Sequence, residues 1–154
     1  MAKIKHYLPE EDAEDPLSII ALNSPCEAYL LAYLINSHCS TCFSRSQKEI
    51  LFQEGVFECF EWHDEYKGVK MWLISNRCTL TQLQKQKQYS LFDLPETKEL
   101  YLMQDLKDVD YIIKIESGVE EKRLLEQIET IGEIGYSYLP NPNRLKDISR
   151  LNFD

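Results

Sequence analysis

The sequence predicts an α+β fold in a single domain: an antiparallel or mixed sheet with two helices on one face, related to the ferredoxin-like split arrangement and enlarged by a central hairpin. Three observations carry that expectation. Residues 108–140, DVDYIIKIESGVEEKRLLEQIETIGEIGYSYLP, read as strand, helix and strand with a local signal at every junction. Residues 17–35 hold a second strand and helix with the same helix-start pattern. Residues 56–79 hold two strand-like runs around a turn.

In the first of these stretches, Val109, Tyr111, Ile113 and Ile115 alternate with Asp110, Ile112, Lys114 and Glu116, the period of a strand with one face in a core. Ser117-Gly118-Val119-Glu120 has the capping-box form, in which serine oxygen and glutamate side chain satisfy each other's amides. Leu124, Leu125, Ile128 and Ile131 then form a stripe at helical spacing, and Gly132 offers a left-handed stop. Ile134, Tyr136 and Tyr138 resume alternation before Pro140 ends the strand.

Taken from its start, the chain opens with an acidic arm, residues 1–16, whose Glu10, Glu11, Asp12, Glu14 and Asp15 read as solvated or as a tail for a basic partner. Leu17 to Asn23 is an apolar strand. Ser24-Pro25-Cys26-Glu27 is a second capping box, with proline at the first helical position. Leu30 to Ile35 is almost wholly apolar, so this helix is expected to be more buried than the later one. Laying Ser24 on Ser117 brings Ile20 and Leu22 onto Ile113 and Ile115, and Leu31 and Ile35 onto Leu124 and Ile128. An internal repeat and shared helix-start rules account for that match equally; both require the two helices to face one sheet.

Thr41 to Arg45 is a short strand. VFECFEWHDE and VKMWLISNRCT form a hairpin about Tyr66-Lys67-Gly68, anchored by Trp62 and Trp72, with apolar residues on both faces. Residues 80–98, rich in glutamine and lysine, read as a mobile loop. ELYLMQ at 99–104 is one more strand, and residues 143–154 form a tail without a readable pattern.

Composition narrows the function. A 154-residue chain with 44% hydrophobic content can build one sizeable core. Its 26 acidic and 17 basic residues give a charge of -9, which argues against direct nucleic-acid binding. An odd count of five cysteines points to reduced thiols and a cytoplasmic protein. No apolar leader opens the chain, and no run approaches a membrane span.

Met103-Gln104-Asp105-Leu106-Lys107-Asp108-Val109-Asp110-Tyr111 resembles the signature of the uncharacterised bacterial family named for its IPExxxVDY motif. Val109, Asp110 and Tyr111 match it; Met103, Gln104 and Asp105 stand in place of IPE, Asp105 conservatively. The resemblance extends to the helix AYLLAYLIN and the ISN near residue 75, and so over most of the chain. It implies a bacterial cytoplasmic setting and no established activity. Asp105, Val109, Asp110 and Tyr111 are therefore motif residues of unknown role.

Four groupings are candidate sites. Cys39 and Cys42, preceded by His38, have the spacing of a metal clamp, which Cys59 and His63 would have to complete, with Cys78 at the far end of the hairpin. The alternatives are partly buried structural thiols and, for His38, a cap on the helix end. Asp105, Asp108 and Asp110 could gather oxygen ligands for a hard cation, but lack a calcium-loop pattern; an exposed turn and an outward aspartate that pairs with a strand or a turn amide is the alternative. Gln88, Leu91 and Phe92, in Gln88-Tyr89-Ser90-Leu91-Phe92, resemble the peptide by which partners bind the bacterial sliding clamp. We expect no metal, no cofactor and no catalytic residue. The expected role is a non-catalytic binding or regulatory module that associates with a protein or small ligand, with homodimerisation through a free sheet edge as a corollary. The alternatives are a nucleic-acid-associated factor recruited by the clamp-like peptide and a thiol- or metal-dependent enzyme.

Overall fold

The apolar residues divide between two cores, one on each face of a six-stranded antiparallel sheet, in the computed structural model, which describes residues 17–82 and 96–152. The elements in chain order are β1 (Ser18–Asn23), α1 (Ala28–Cys39), β2 (Ser44–Arg45), β3 (Ile50–Phe52), β4 (Gly55–Phe57), β5 (Cys59–Asp64), β6 (Val69–Ser75), β7 (Arg77–Gln82), β8 (Glu96–Tyr101), β9 (Tyr111–Ser117), α2 (Glu121–Ile128) and β10 (Tyr136–Tyr138). The main sheet runs β10-β1-β9-β6-β5-β2, with β3–β4 and β7–β8 as separate two-stranded ribbons. The strands that precede the two helices are neighbours at its centre, where Ile20 faces Ile113 and Leu22 faces Tyr111.

Both helices lie over the same face. Leu31 and Ile35 of α1 share one core with Leu124 and Ile128 of α2 and with Ile20, Leu22, Met71, Leu73, Ile113 and Ile115 from the sheet. The opposite face is buried too. Ile19, Ala21, Trp72, Ile74 and Ile112 pack under Phe57, Leu100, Leu102, Met103, Leu106, Leu145 and Leu151. That second core explains why the hairpin's inward face could not be read: a strand covered on both sides loses its apolar and polar alternation. It also corrects the reading of β9 as half-buried, since Ile112 and even Lys114 are enclosed. Lys114 Nζ donates to the Leu151 carbonyl and lies 4.5 Å from the Trp72 ring centre. Its aliphatic stem is buried while the ammonium keeps a polar and a π partner.

Neither capping box forms. Ser117 is the last residue of β9 and its hydroxyl donates to the Gly68 carbonyl at 2.9 Å, so α2 begins later, after Glu120. Ser24 donates to the Glu133 carbonyl and accepts the Cys26 amide, and α1 begins after Glu27, beyond Pro25. In both cases a tertiary carbonyl accepts the hydroxyl proton and fixes the serine against another part of the fold, and the helix starts three residues later than the pattern suggests. The left-handed glycine is Gly118, φ 88°, in the turn between β9 and α2; Gly132 is not in that region, and α2 ends at Ile128. As expected, α1 is the more buried helix, with Ala28, Leu31, Ala32, Ile35 and Cys39 buried against Leu124 and Ile128 of α2, although Tyr29, Leu30 and Tyr33 are exposed.

Boundaries shift elsewhere. The long hairpin narrows to β5 and β6 about a turn in which Gly68 has φ 69°, and β4 and β7 belong to the flanking ribbons. The ends of the expected 80–98 loop are paired strand, with Gln82 opposite Glu96. Residues 143–152 make two 3-10 turns whose Leu145 and Leu151 enter the second core. The acidic arm, residues 1–16, lies outside the described residues. Among those described, no helix is long and apolar enough to cross a membrane.

Candidate functional site

The VDY residues and the ISN residues meet. Asn76 is the single residue between β6 and β7, where the chain leaves the main sheet, and it is fully buried. Its Nδ2 donates to the carbonyls of Leu106 (2.8 Å) and Val109 (3.2 Å), with a longer contact to Met103 O (3.5 Å). Its Oδ1 accepts the Met103 amide at 2.7 Å. Its own amide donates to Asp110 O, and its carbonyl accepts the Leu102 amide. One amide side chain thus ties the 102–110 turn to the sheet, every polar atom engaged, as burial demands.

Asp110 and Tyr111 extend the same knot. The Asp110 carboxylate pairs with Arg77 at 2.7 Å and accepts the Ser24 amide at 3.2 Å, so it meets both a neighbouring strand and a turn amide. Burial, the largest single influence, would lower the Arg77 guanidinium, but the Asp110 charge, the Tyr101 hydroxyl and the Glu99 charge together outweigh it and raise the group above its ordinary value. Tyr111 donates to the Cys26 carbonyl at 2.6 Å, and burial, with the nearby Glu58 and Asp110 charges, pushes its hydroxyl up to about 12. These residues line a cleft of about 410 Å³ with Ser24, Glu58 and Ser75. The Arg77–Asp110 pair neutralises itself and Tyr111 is held as a donor, so these groups bind and orient the chain itself.

The three aspartates do not converge. Asp105 accepts the Lys146 amide, and Asp108 accepts the Tyr138 hydroxyl at 3.0 Å while its carbonyl takes Tyr136 and Asn23. With Asp110 on Arg77, each carboxylate fastens a different part of the fold. The thiols are also separated. Cys39 lies in the helix-side core and Cys59 in the opposite one, so the sheet stands between them. Burial pushes Cys39 up to about 11; burial reinforced by the Glu61 charge pushes Cys59 up to about 12. Neither is a thiolate near neutral pH. Cys42 is exposed, Cys78 packs at the edge of the second core, and His38 Nδ1 donates to the Leu34 carbonyl inside its own helix. His63 lies 3.8 Å from Glu61. No three His, Cys, Asp or Glu side chains among the described residues are grouped to hold a metal. Gln88, Leu91 and Phe92 lie outside the described residues.

The larger concavity is elsewhere. On the face opposite the helices, a groove of about 1030 Å³ runs over Trp72 between the β2–β3 segment, the β5–β6 end of the sheet and Arg150. His63 meets the Trp72 indole edge-on at 5.0 Å, and Lys70 lies 5.7 Å from its centre. Three cations of the groove are paired, Arg45 with Glu49 inside it and with Glu58 beyond it, Lys70 with Glu116 and Arg150 with Asp147 outside its lining. Sequence reasoning did not reach Asn76, Arg77 or this groove as sites. The groove residues alternate along β5 and β6, but the second buried face hid the alternation. No family model, curated protein or solved structure matches the chain.

Proposed function

We propose that the chain is a non-catalytic binding or regulatory module, a divergent relative of the IPExxxVDY family, that takes a protein segment or small ligand into the groove over Trp72. The groove itself carries this reading. It offers an aromatic floor and paired charges, and its thiol, Cys59, is held protonated; such a lining suits recognition by packing and hydrogen bonding. The order β10-β1-β9-β6, with the two helix-preceding strands central and antiparallel, supports relating the fold to the split ferredoxin-like arrangement, with β5 and β2 added at one edge. All five cysteines are free thiols, which supports a reducing, cytoplasmic setting. Replacing Trp62 by phenylalanine leaves Trp72 as the sole indole. Titration of that variant with a panel of nucleotides, amino acids and short peptides is expected to give a saturable change in emission for at least one of them, weakened by Lys70→Glu. A ligand bound with no change at Trp72, or chemical turnover of one, would defeat the reading.

The alternative is recruitment to nucleic acid through Gln88, Leu91 and Phe92. The pairing of Gln82 with Glu96 favours it, because it brings the two ends of the peptide-bearing segment side by side. Clamp binding is expected to vanish in the Leu91→Ala, Phe92→Ala double variant; binding that survives would remove the peptide as its cause.

A further inference from the structure

The two helices share one face of the sheet but present opposite surfaces outward. α2 exposes Lys122, Arg123 and Glu126, the ordinary solvated side of an amphipathic helix. α1 contains no charged residue apart from the titratable His38, and exposes Tyr29 (62%), Tyr33 (65%) and Leu30 (39%). Its exposed polar side chains bond to their own helix backbone: Ser37 donates to the Tyr33 carbonyl at 2.9 Å and His38 to the Leu34 carbonyl. What remains outward is a ridge at four-residue spacing, Tyr29, Tyr33 and Ser37, large at one end and small at the other.

We propose that this face of α1 docks on the same face of a second copy of the chain. When two such ridges cross antiparallel about a two-fold axis at Tyr33, Tyr29 of each helix falls on Ser37 of the other, large against small. The exposed Glu27 at the start of each helix then approaches His38 at the end of its mate. The face is therefore complementary to itself in shape and, when His38 is protonated, in charge, as an isologous contact requires. Two copies that each carry -9 repel over most approaches, and a strip without charge is where they meet with least cost. The sheet edges offer less, since β10 has three residues and β2 has two. A helix of 12 residues is about 18 Å long, so the contact falls at the small end of specific interfaces and the association is weak and concentration-dependent.

Sedimentation velocity of the full chain over a concentration series tests this. The wild type is expected to show a weight-average coefficient that rises with concentration. Tyr33→Glu, an exposed change that leaves the circular dichroism and Tm unaltered, is expected to hold the protein monomeric. Ser37→Tyr, which fills the small end of the ridge, is expected to weaken the dimer, and Leu51→Ser on the exposed side of β3 is expected to leave it intact. A wild type that stays monomeric at every concentration overturns the proposal, including the case in which Tyr33→Glu disrupts contact with a different protein. A dimer that survives Tyr33→Glu, or that dissolves with Leu51→Ser instead, overturns it as well.

Discussion

Replacing Asn76 by alanine removes one exposed-to-nothing side chain and, with it, the tie between the 102–110 turn and the sheet. Two buried groups lose their partner outright: the Met103 amide, bonded to Oδ1 at 2.7 Å, and the Val109 carbonyl, bonded to Nδ2 at 3.2 Å. The Leu106 and Met103 carbonyls keep the turn amides of Val109 and Leu106. A buried donor or acceptor left unmet costs about 1–3 kcal/mol, so the two together give a loss of about 2–6 kcal/mol. Against a total stability of about 5–15 kcal/mol, that approaches unfolding. Urea denaturation followed by circular dichroism would show a lower midpoint at unchanged m-value. Asn76→Asp keeps the acceptor for Met103 but turns an oxygen toward the Val109 and Leu106 carbonyls, and should lose at least as much. A loss below about 1 kcal/mol for Asn76→Ala would refute the architectural role assigned to the residue.

The helix packing makes a paired prediction: Leu31→Ala and Leu124→Ala, both fully buried in one core, should each cost about 2–5 kcal/mol by the same denaturation, and a negligible loss at either would place that helix off the sheet. Gly118→Ala should destabilise by more than about 1 kcal/mol, because φ is 88° and a Cβ would lie 2.5 Å from the Gly68 carbonyl oxygen; an unchanged Tm would contradict that turn. Stability should fall on the alkaline side. Cys39 and Cys59 rise from 9.0 to about 11 and about 12, and Tyr111 and Tyr138 from 10.0 to about 12. The fold favours the protonated forms, so their contribution is complete below the ordinary values and is lost as pH climbs from about 9 through about 12. Phenolate absorbance should show a late component that Tyr111→Phe and Tyr138→Phe each diminish; the absence of that component in a still-folded chain would be inconsistent with it.

Much of the architecture was legible where a signal was local and periodic. The β9, α2 and β10 run, the β1 and α1 pair and their shared face all follow from apolar spacing, because the helix-side core is built from regular elements. The second core was not legible. It is covered by short ribbons and 3-10 turns, whose Leu102, Leu106, Leu145 and Leu151 have no common period. The serines misled for a related reason: Ser24 and Ser117 fit a helix-start pattern, yet Glu133 and Gly68 carbonyls that only the fold brings near take their hydroxyls. The VDY and ISN stretches were both marked by resemblance, but that Asn76 bonds to Val109, 33 residues further on, is a pairing that no pattern within one sequence reveals. The outward placement of Tyr29 and Tyr33 was not legible, because apolarity alone does not say which side of a helix meets the sheet.

The VDY and ISN residues lock the 102–110 turn onto the sheet, and native-state hydrogen exchange tests that most directly. The amides of Met103, bonded to the Asn76 side chain, and of Asn76, bonded to Asp110 O, should open only with the same free energy as the central Ile113 amide. Exchange of Met103 and Asn76 by a low-energy local opening, while Ile113 stays protected, would show that the knot is not part of the core.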